Sequence, residues 1–316
     1  MALTFASTLE RRGARAFLQR FARRRDLAGL GPVLARAGAL EARLAATGKE
    51  VRGAQRLRYR VFFEEGGAIA DPAARLTRRD LCRFDRVCDH LVVVDRMAAA
   101  RDGSPSVVGA YRLLRQDVAE RHFGFYSSRE FEVESLNARR PGMRLLEVGR
   151  ACVAETHRGR RVLELLWRGL WAYARHHAMD AMIGCASLPG VDPAAHAAAI
   201  CWLAAGGDPS WRVEPRADRR AALEDDGPPT AFGSRALVRG LPPLVKGYWR
   251  LGATFSPVPA VDPAFGATDL FVAMPLRDVE ARYLQHFGVE AMSPAARGLD
   301  RDAGEFPSAP NWVMGV

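Results

Sequence analysis

The stretch from Met143 to Leu170 constrains the fold more than any other part of the chain. Its first part, residues 145–153, is a short apolar run of strand character that Gly149 interrupts. A glycine inside a strand often marks a bulge or a close approach of the backbone to a ligand. A polar turn follows over residues 156–161, and apolar residues then recur with helical spacing. The sequence therefore predicts a strand, a turn and a helix, with accessible backbone amides near Gly149.

Three arginines, Arg158, Arg160 and Arg161, fall where this helix should begin. A helix N-terminus carries partial positive charge, so each cation there costs a few tenths to about 1 kcal/mol. Free N–H groups, Gly159 and three guanidinium groups suit a bound phosphate, which would remove the conflict. The alternative is an accident of composition, because the chain contains 44 Arg and only 2 Lys. We expect the turn to bind phosphate.

The turn resembles the pyrophosphate loop of the GNAT acyltransferase superfamily, whose pattern is Q/R-x-x-G-x-G/A. Gly159 matches, whereas Thr156 stands at the Q/R position and Arg161 at the final small residue. Four further segments follow the order and character of acyl-homoserine-lactone synthases: 56–65, 82–94, 107–114 and 145–153. Two later segments, 184–193 and 241–253, are similar only to the related ornithine N-acyltransferases that use acyl carrier protein.

This resemblance covers roughly residues 50–290 and implies an α/β fold. The expected architecture is GNAT-like, with a mixed and mostly antiparallel central sheet flanked by helices. In that superfamily the strand at 145–153 and the next one, at 182–187, splay apart. The gap between this central strand pair is the slot for a pantetheine arm.

The chain is expected to divide into three parts. Residues 1–50 form a basic helical N-terminal extension, whose second helical piece runs from Val33 to Thr47. Its basic amphipathic face suits an anionic membrane or a solvated helix that covers the core, and both interpretations stay open. Residues 51–290 form the GNAT-like acyltransferase domain, with a mobile excursion at 207–240. Residues 291–316 form a polar tail.

Composition narrows the class of partner and the compartment. A net charge of +10 favours an acidic partner, which could be nucleic acid, an anionic membrane or an acidic protein. Five cysteines without a C-x-x-C pair form no disulfide framework, which fits a reducing cytoplasm. No apolar stretch reaches the roughly 18 residues that span a bilayer. Adjacent His176 and His177 lack acidic or Cys partners at ligand spacing, so no metal site is expected.

Acyl transfer to an amine needs a base, because an ammonium has no lone pair. The related enzymes carry the base in an E-x-x-R motif, which Glu147 and Arg150 reproduce. The amides that flank Gly149 could stabilise a tetrahedral oxyanion. A structural ion pair between Glu147 and Arg150 is the alternative.

The resemblance also implies residues for the acceptor pocket. Arg58 and Phe62 reproduce an R-x-x-x-F pair that lines it, although an exposed Arg beside a core Phe would give the same spacing. Asp85 and Arg112 belong to an electrostatic cluster near the acceptor amino acid, in which a second family carboxylate is replaced by Cys82. We expect one of the two arginines to hold the α-carboxylate of ornithine and Asp85 to hold its side-chain ammonium. Phe131 is expected at the border of the pocket.

The resulting hypothesis is transfer of a 3-hydroxyacyl chain from acyl carrier protein to the α-amine of L-ornithine, or of a similar amino acid, giving lyso-ornithine lipid. The acyl thioester on the carrier's phosphopantetheine is the co-substrate, and no bound cofactor is expected. Arg158, Gly159, Arg160 and Arg161 would bind that phosphopantetheine. The expected location is cytoplasmic, with peripheral contact to the inner face of the membrane as an addition.

Two alternatives remain at this point. The first is a synthase of N-acyl amino acid or acyl-homoserine-lactone signals. The second is a basic membrane- or nucleic-acid-binding module without enzymatic activity. No nucleic-acid partner is expected, because the aromatic residues are not interleaved with a basic stripe in any recognisable motif.

Overall fold

The computed structural model describes residues 29–100, 103, 105–221 and 234–279. Within these residues, one sheet contains nine strands: β1 (Ala35–Ala37), β2 (Leu40–Leu44), β3 (Asp89–Ala99), β4 (Pro105–Arg115), β5 (Leu145–Val153), β6 (Ala181–Pro189), β7 (Thr254–Phe255), β8 (Ala260–Asp262) and β9 (Ala267–Pro275).

Helices flank the sheet and connect its strands. The α-helices of the described residues are α1 (Gly48–Tyr59), α2 (Pro72–Thr77), α3 (Gln116–Glu120), α4 (Val133–Arg139), α5 (Arg160–His176), α6 (Ala197–Ala204), α7 (Ser234–Gly240) and α8 (Pro243–Arg250). A π-helical segment, Arg60–Glu65, continues α1. Short 3-10 turns lie at Arg83–Arg86, Ser127–Arg129, Glu155–His157, Pro193–His196 and Pro209–Trp211.

The strand order is β1-β2-β3-β4-β5-β6-β9-β7, with β8 paired to β9. Every pair is antiparallel except β5 with β6, which is parallel. Strands β3 and β4 are paired with each other, and the predicted strand, turn and helix of β5 and α5 are present. The expected mixed, mostly antiparallel sheet flanked by helices is therefore confirmed.

The parallel pair β5 and β6 is hydrogen-bonded along only part of its length. The register runs from Leu145 opposite Ala181 to Glu147 opposite Ile183 and stops there, although both strands continue. At Gly184 a Cβ atom would lie 2.5 Å from the carbonyl oxygen of Val148. Only glycine permits this approach at the point of divergence. The expected splayed central pair is confirmed.

Strand β5 also carries a bulge at the point where β6 leaves it. Arg112 of β4 faces Gly149, but the next paired positions are Ala110 and Cys152. Two residues of β5, Arg150 and Ala151, thus lie opposite the single residue Tyr111 of β4, and Arg150 has a φ of 53°. A positive φ is uncommon for a residue with a side chain and costs of order 1–3 kcal/mol. The bulge turns this backbone away from regular pairing.

Two apolar layers cover the two faces of the sheet. Helix α5 buries Val162, Leu166 and Leu170 in the larger layer. It lies so close to the strands that a Cβ at Gly169 would come 2.6 Å from Leu91. The smaller layer is built around aromatic side chains, Phe84, Phe125, Phe131, Trp211 and Phe271.

The expectation of a helix from residue 33 to residue 47 is wrong. This segment forms β1 and β2, and β2 pairs with β3 from Leu40 opposite Asp95 to Leu44 opposite Leu91. Its Ala, Leu, Arg and Glu residues favour helix intrinsically, but tertiary pairing overrides a weak local preference. The described part of the N-terminal extension is thus an edge of the central sheet. Helix α1 then begins after Thr47, whose side chain accepts from the N–H of Glu50.

Aspartate side chains cap two short helical segments. Residues 66–79 contain α2, which Asp71 caps by accepting from the N–H of Ala74 at 2.7 Å. Asp192 caps the 3-10 turn Pro193–His196 by accepting from the N–H of Ala194. The first 28 residues, the segment 222–233 and the tail from 291 lie outside the described residues.

Candidate active site

A cavity of about 530 Å³ lies where β5 and β6 diverge. One wall is the stretch 147–151 of β5, and the facing wall is the stretch 184–189 of β6. Apolar groups of α8 and the preceding residues, together with Phe265, surround the rest of the opening. A site of this size and lining suits a ligand with a long apolar part and a few polar groups.

Five of the residues predicted for the site line this cavity: Phe62, Arg112, Glu147, Gly149 and Arg150. They come from the π-helical segment, β4 and β5, so the sheet and the bulge bring them together. The charged residues among the described lining are these two arginines and four acids, namely Glu130, Glu147, Asp262 and Asp269.

Glu147 is buried, and its carboxylate accepts three hydrogen bonds. The N–H of Tyr126 donates to Oε2 at 2.7 Å, and the N–H of Ser127 donates to Oε1 at 2.7 Å. The hydroxyl of Ser127 also donates to Oε1, at 2.5 Å. An ionised carboxylate offers about four acceptor positions, so one remains, on Oε2. Glu147 therefore fixes the 126–127 turn and keeps one acceptor position that no described donor occupies.

Arg150 does not pair with Glu147 in the described contacts. Its Nε lies 3.3 Å from Oδ2 of Asp80, and its Nη2 donates to the hydroxyl of Tyr126 at 3.2 Å. The guanidinium carbon lies 4.8 Å from the ring centre of Tyr126 and 4.2 Å from that of Phe265. These contacts hold the guanidinium between two aromatic rings at the cavity wall, where cation–π attraction stabilises it.

Arg112 is buried beside Arg150 on the neighbouring strand. Its guanidinium lies 5.1 Å from the ring centre of Tyr126 and 5.5 Å from that of Phe84. Its Nη1 is 3.6 Å from Oδ1 of Asp85. This contact is an ion pair without a hydrogen bond, because that nitrogen has no hydrogen-bond partner among the described residues.

Arg58 and Asp85 lie behind the cavity wall. Arg58 is 1% exposed, and its Nη1 and Nη2 donate to the two oxygens of Asp85 at 3.0 and 2.7 Å. Burial opposes ionisation of Asp85, but the Arg58 guanidinium outweighs it and holds the pKa of this carboxyl well below its usual range. Neither residue is among those that line the cavity. Asp85 thus has its charge satisfied inside the protein.

Phe131 is fully buried in the smaller apolar layer, with its ring centre 5.7 Å from that of Phe271. It does not appear in the cavity lining, so its role in the described structure is packing. Its neighbour Glu130 does reach the cavity.

The arginine turn lies at the start of α5. Gly159 is the N-cap residue, without a side-chain cap, and a Cβ there would meet open space. Arg158 forms an ion pair with Glu65, the residue before cavity-lining Gly66. Arg161 is exposed, and the side chain of Arg160 lies outside the described part of the structure. The turn therefore stands at the rim of the cavity on the side of the π-helical segment.

Sequence reasoning missed three acids of the cavity, Glu130, Asp262 and Asp269. Glu130 and Asp269 are each 4% exposed. A signal was present for Asp269, since it is a charge within the otherwise apolar strand β9. Such a residue rarely enters a core without a partner or a function.

The fold is that of a GNAT acyltransferase: residues 57–168 match the family model of an acetyltransferase (GNAT) domain. Curated L-ornithine N(alpha)-acyltransferases are similar over most of their length. The one from Brucella abortus (strain 2308) is 43% identical, with 82% of this chain and 92% of the relative covered. The one from Agrobacterium fabrum (strain C58 / ATCC 33970) is 45% identical, with 81% and 87% covered. The chain belongs to the L-ornithine N(alpha)-acyltransferase family.

Among solved structures, the N-acyl amino acid synthase FeeM from uncultured soil microbes is 12% identical, with a TM-score of 0.41, covering 77% of this chain and 94% of that one. Family membership confirms the resemblance inferred from the sequence and makes the chain an enzyme. The alternative interpretation as a binding module without enzymatic activity is therefore wrong. No helix in the described ranges has the length and apolar character needed to cross a membrane.

Proposed function

We propose that this enzyme transfers a 3-hydroxyacyl chain from acyl carrier protein to the α-amine of L-ornithine, giving lyso-ornithine lipid. The observation that carries the proposal is the position of Glu147. It is the last residue of β5 that pairs with β6 before the two strands diverge, and it lines the cavity. A carboxylate with one remaining acceptor position is thereby placed where a thioester arm would end.

In this reaction the nitrogen of the neutral α-amine attacks the thioester carbonyl carbon, and a C–N bond forms. Glu147 takes the proton that the nitrogen loses, directly or through one water. The carbonyl oxygen becomes an oxyanion, and the backbone amides of the bulge at Arg150 and Ala151 are suited to donate to it. The C–S bond then breaks, and the pantetheine thiolate leaves and takes up a proton. The products are an amide and the free thiol of the carrier.

The acceptor's α-carboxylate needs a cationic partner at the same wall. Arg112 and Arg150 both line the cavity, whereas Arg58 is bound to Asp85 and Asp80 behind it. Of the two arginines first considered, Arg112 is therefore the better candidate, because it lines the cavity and Arg58 does not. A guanidinium binds a carboxylate with directed, charge-assisted hydrogen bonds.

The arginine turn is proposed as the docking point for the carrier. A carrier's arm ends in one phosphate diester on an acidic protein, and an exposed arginine at position 161 suits that better than a pyrophosphate. Arg158 is already paired with Glu65, so it contributes less free charge than Arg161. Contact between the basic N-terminal extension and an anionic membrane remains a prediction, because residues 1–28 lie outside the described structure.

The test is an assay with purified enzyme and two donors that carry the same 3-hydroxyacyl chain, one on acyl carrier protein and one on coenzyme A. Each donor is incubated with ornithine, lysine, homoserine lactone and glycine, and amide products are weighed by mass spectrometry. The proposal expects an ornithine amide from the carrier donor at a rate well above that from coenzyme A. Equal rates with both donors would show that the enzyme does not depend on acyl carrier protein. An amide formed only with another amino acid would show that ornithine is not the acceptor.

A further inference from the structure

We propose that Glu130 and Asp269, with Asp262 beside them, form a subsite that binds the side-chain ammonium of the acceptor. This inference rests on the proposed function, because it concerns the part of ornithine that does not react. It assigns specificity for a basic amino acid to residues on β8, β9 and the 130–132 segment rather than to Asp85.

The three carboxyl groups meet at one wall of the cavity, and each lines it. One oxygen from each lies within 4.8 Å of the others. Asp269 is held in β9, opposite Ser187 of β6 and Ala260 of β8. A position in the middle of three paired strands fixes this carboxyl group firmly.

The Glu130 backbone is fixed from the other side. The N–H of Arg216 donates to the Glu130 carbonyl at 2.8 Å, and the N–H of Glu132 donates to the Glu214 carbonyl at 2.9 Å. Its neighbour Phe131 packs in the apolar layer beneath. The acids are therefore positioned by rigid elements, as a specificity site requires.

Two of the carboxyl oxygens, Oε2 of Glu130 and Oδ1 of Asp269, are buried and receive no hydrogen bond from a group outside this pair in the described structure. A buried polar atom without a partner costs about 1–3 kcal/mol, and two close carboxylates repel each other. Burial, and then the neighbouring Asp269, raise the pKa of Glu130 to about 8. At neutral pH Glu130 therefore keeps a proton, which it shares with Asp269, and a bound ammonium can take the place of that proton.

Ornithine supplies a positively charged donor at the end of its side chain. Its side-chain ammonium has three N–H donors and one positive charge, enough to satisfy both unpartnered oxygens. Arg112 and Arg150 lie on the cavity wall formed by β4 and β5, where the α-carboxylate is proposed to bind. With the α-carboxylate at the arginines and the side-chain ammonium at the acidic subsite, ornithine would contact both charged walls of the cavity at the same time. The α-amine, rather than the side-chain amine, is then left beside the base.

Asp85 is a weaker choice for the same task. Arg58 occupies both of its oxygens, and Gln55 donates to Oδ2 at 3.0 Å. An ammonium would have to displace a buried two-point ion pair to reach it. At Glu130 and Asp269 an ammonium would displace only the proton that Glu130 holds, and no guanidinium.

The experiment compares ornithine with norvaline, which has the same carbon chain without the side-chain amine. Variants Glu130→Gln and Asp269→Asn keep the side-chain shapes and remove the carboxyl groups. In the wild type, kcat/KM for ornithine should exceed that for norvaline by about a hundredfold or more, because norvaline leaves the buried oxygens unpaired. Each variant should lower kcat/KM for ornithine at least about tenfold, mainly through KM, and raise that for norvaline.

Glu134→Gln is the matched control, because Glu134 is an exposed acid on the same segment, at the start of α4. It should leave the preference for ornithine unchanged. Thermal shift by ornithine without a carrier gives a second readout, which does not depend on turnover: ornithine should raise Tm of the wild type, and much less that of either variant.

Equal losses for ornithine and norvaline in the variants, or an ornithine thermal shift that survives both substitutions, would overturn the subsite. Ornithine use that a chelator abolishes and a divalent cation restores would assign the three acids to a metal ion instead, and would also overturn it. Failure of the proposed function looks different, because the wild type would then form no ornithine amide at all, whatever the state of these acids.

Discussion

Arg58 and Asp85 form a buried two-point ion pair, with both carboxylate oxygens within 3.0 Å of guanidinium nitrogens. Arg58 also reaches Asp80 through Nε at 2.8 Å, so a single guanidinium joins α1 to the segment before β3. The family resemblance places this pair near the acceptor. Its burial favours a structural contribution.

Asp85→Asn should therefore cost about 3–5 kcal/mol of unfolding free energy, because a buried guanidinium loses its charge partner. Denaturant unfolding measures this. Asp117→Asn is the control, since Asp117 pairs with Arg121 on an exposed surface and should change stability by less than about 0.5 kcal/mol. A stable Asp85→Asn protein with a selective loss of ornithine use would instead place Asp85 at the acceptor.

Glu147→Gln should lower kcat by about a hundredfold or more if Glu147 is the base. The same change turns an amide NH₂ towards the N–H groups of Tyr126 and Ser127, which should cost about 1–3 kcal/mol of stability. The two effects are separated by Ser127→Ala, which removes a donor to Glu147 and keeps the carboxylate. That variant should lose about 1 kcal/mol and retain turnover within about tenfold. Full activity of Glu147→Gln would exclude it as the base.

Glu130 should make the stability of the ligand-free protein depend on pH. Its pKa in the folded protein is about 8, above the usual 4.5, so the folded state keeps a proton that the unfolded state has lost. Stability should fall as pH rises from about 5 to 8. The groups around it are Asp269, Asp262 and Cys185, and Arg150 acts on Asp269.

Unfolding experiments at both ends of this range measure the slope for the wild type and for Glu130→Gln. The variant should have the shallower slope, and ornithine should restore stability to the wild type at the upper end. Identical slopes for the two proteins would show that Glu130 does not hold the extra proton.

Arg161→Glu should raise the KM for acyl carrier protein about tenfold, and the KM for ornithine should stay within about twofold. The carrier KM of the wild type should also rise with salt, because exposed charges are screened. Arg277→Glu is the control, an arginine 91% exposed and outside the turn. A carrier KM that ignores both salt and the charge reversal would make the arginine turn an accident of composition.

The sequence predicted the parts of the fold that follow from local periodicity. The spacing of apolar residues predicts the β5 strand, the turn and α5, and the family resemblance predicts the divergence of β6 from β5. The segment 33–47 was misread because its residues favour helix while its partner β3 begins more than 40 positions later. Pairing with a strand so far along the chain leaves no pattern within residues 33–47 themselves.

The same limit explains which residues of the candidate site could be predicted from the sequence. Glu147 and Arg150 were found because they lie in one short motif on one strand. Glu130 and Asp269 lie far apart in the sequence and meet only through the β6–β9 pairing and the 130–132 segment. An acid inside an apolar strand was the available clue, and it indicated a buried function without naming the partner.

The most direct test of the central claim is the position of the acyl group on the product. Purified enzyme is given carrier-bound 3-hydroxyacyl chain and L-ornithine labelled with ¹⁵N on the α-nitrogen, and the amide is fragmented by tandem mass spectrometry. Base, bulge and acidic subsite together predict that the acyl chain is found on the labelled nitrogen alone. An acyl chain on the side-chain nitrogen, or no ornithine amide, would contradict the account.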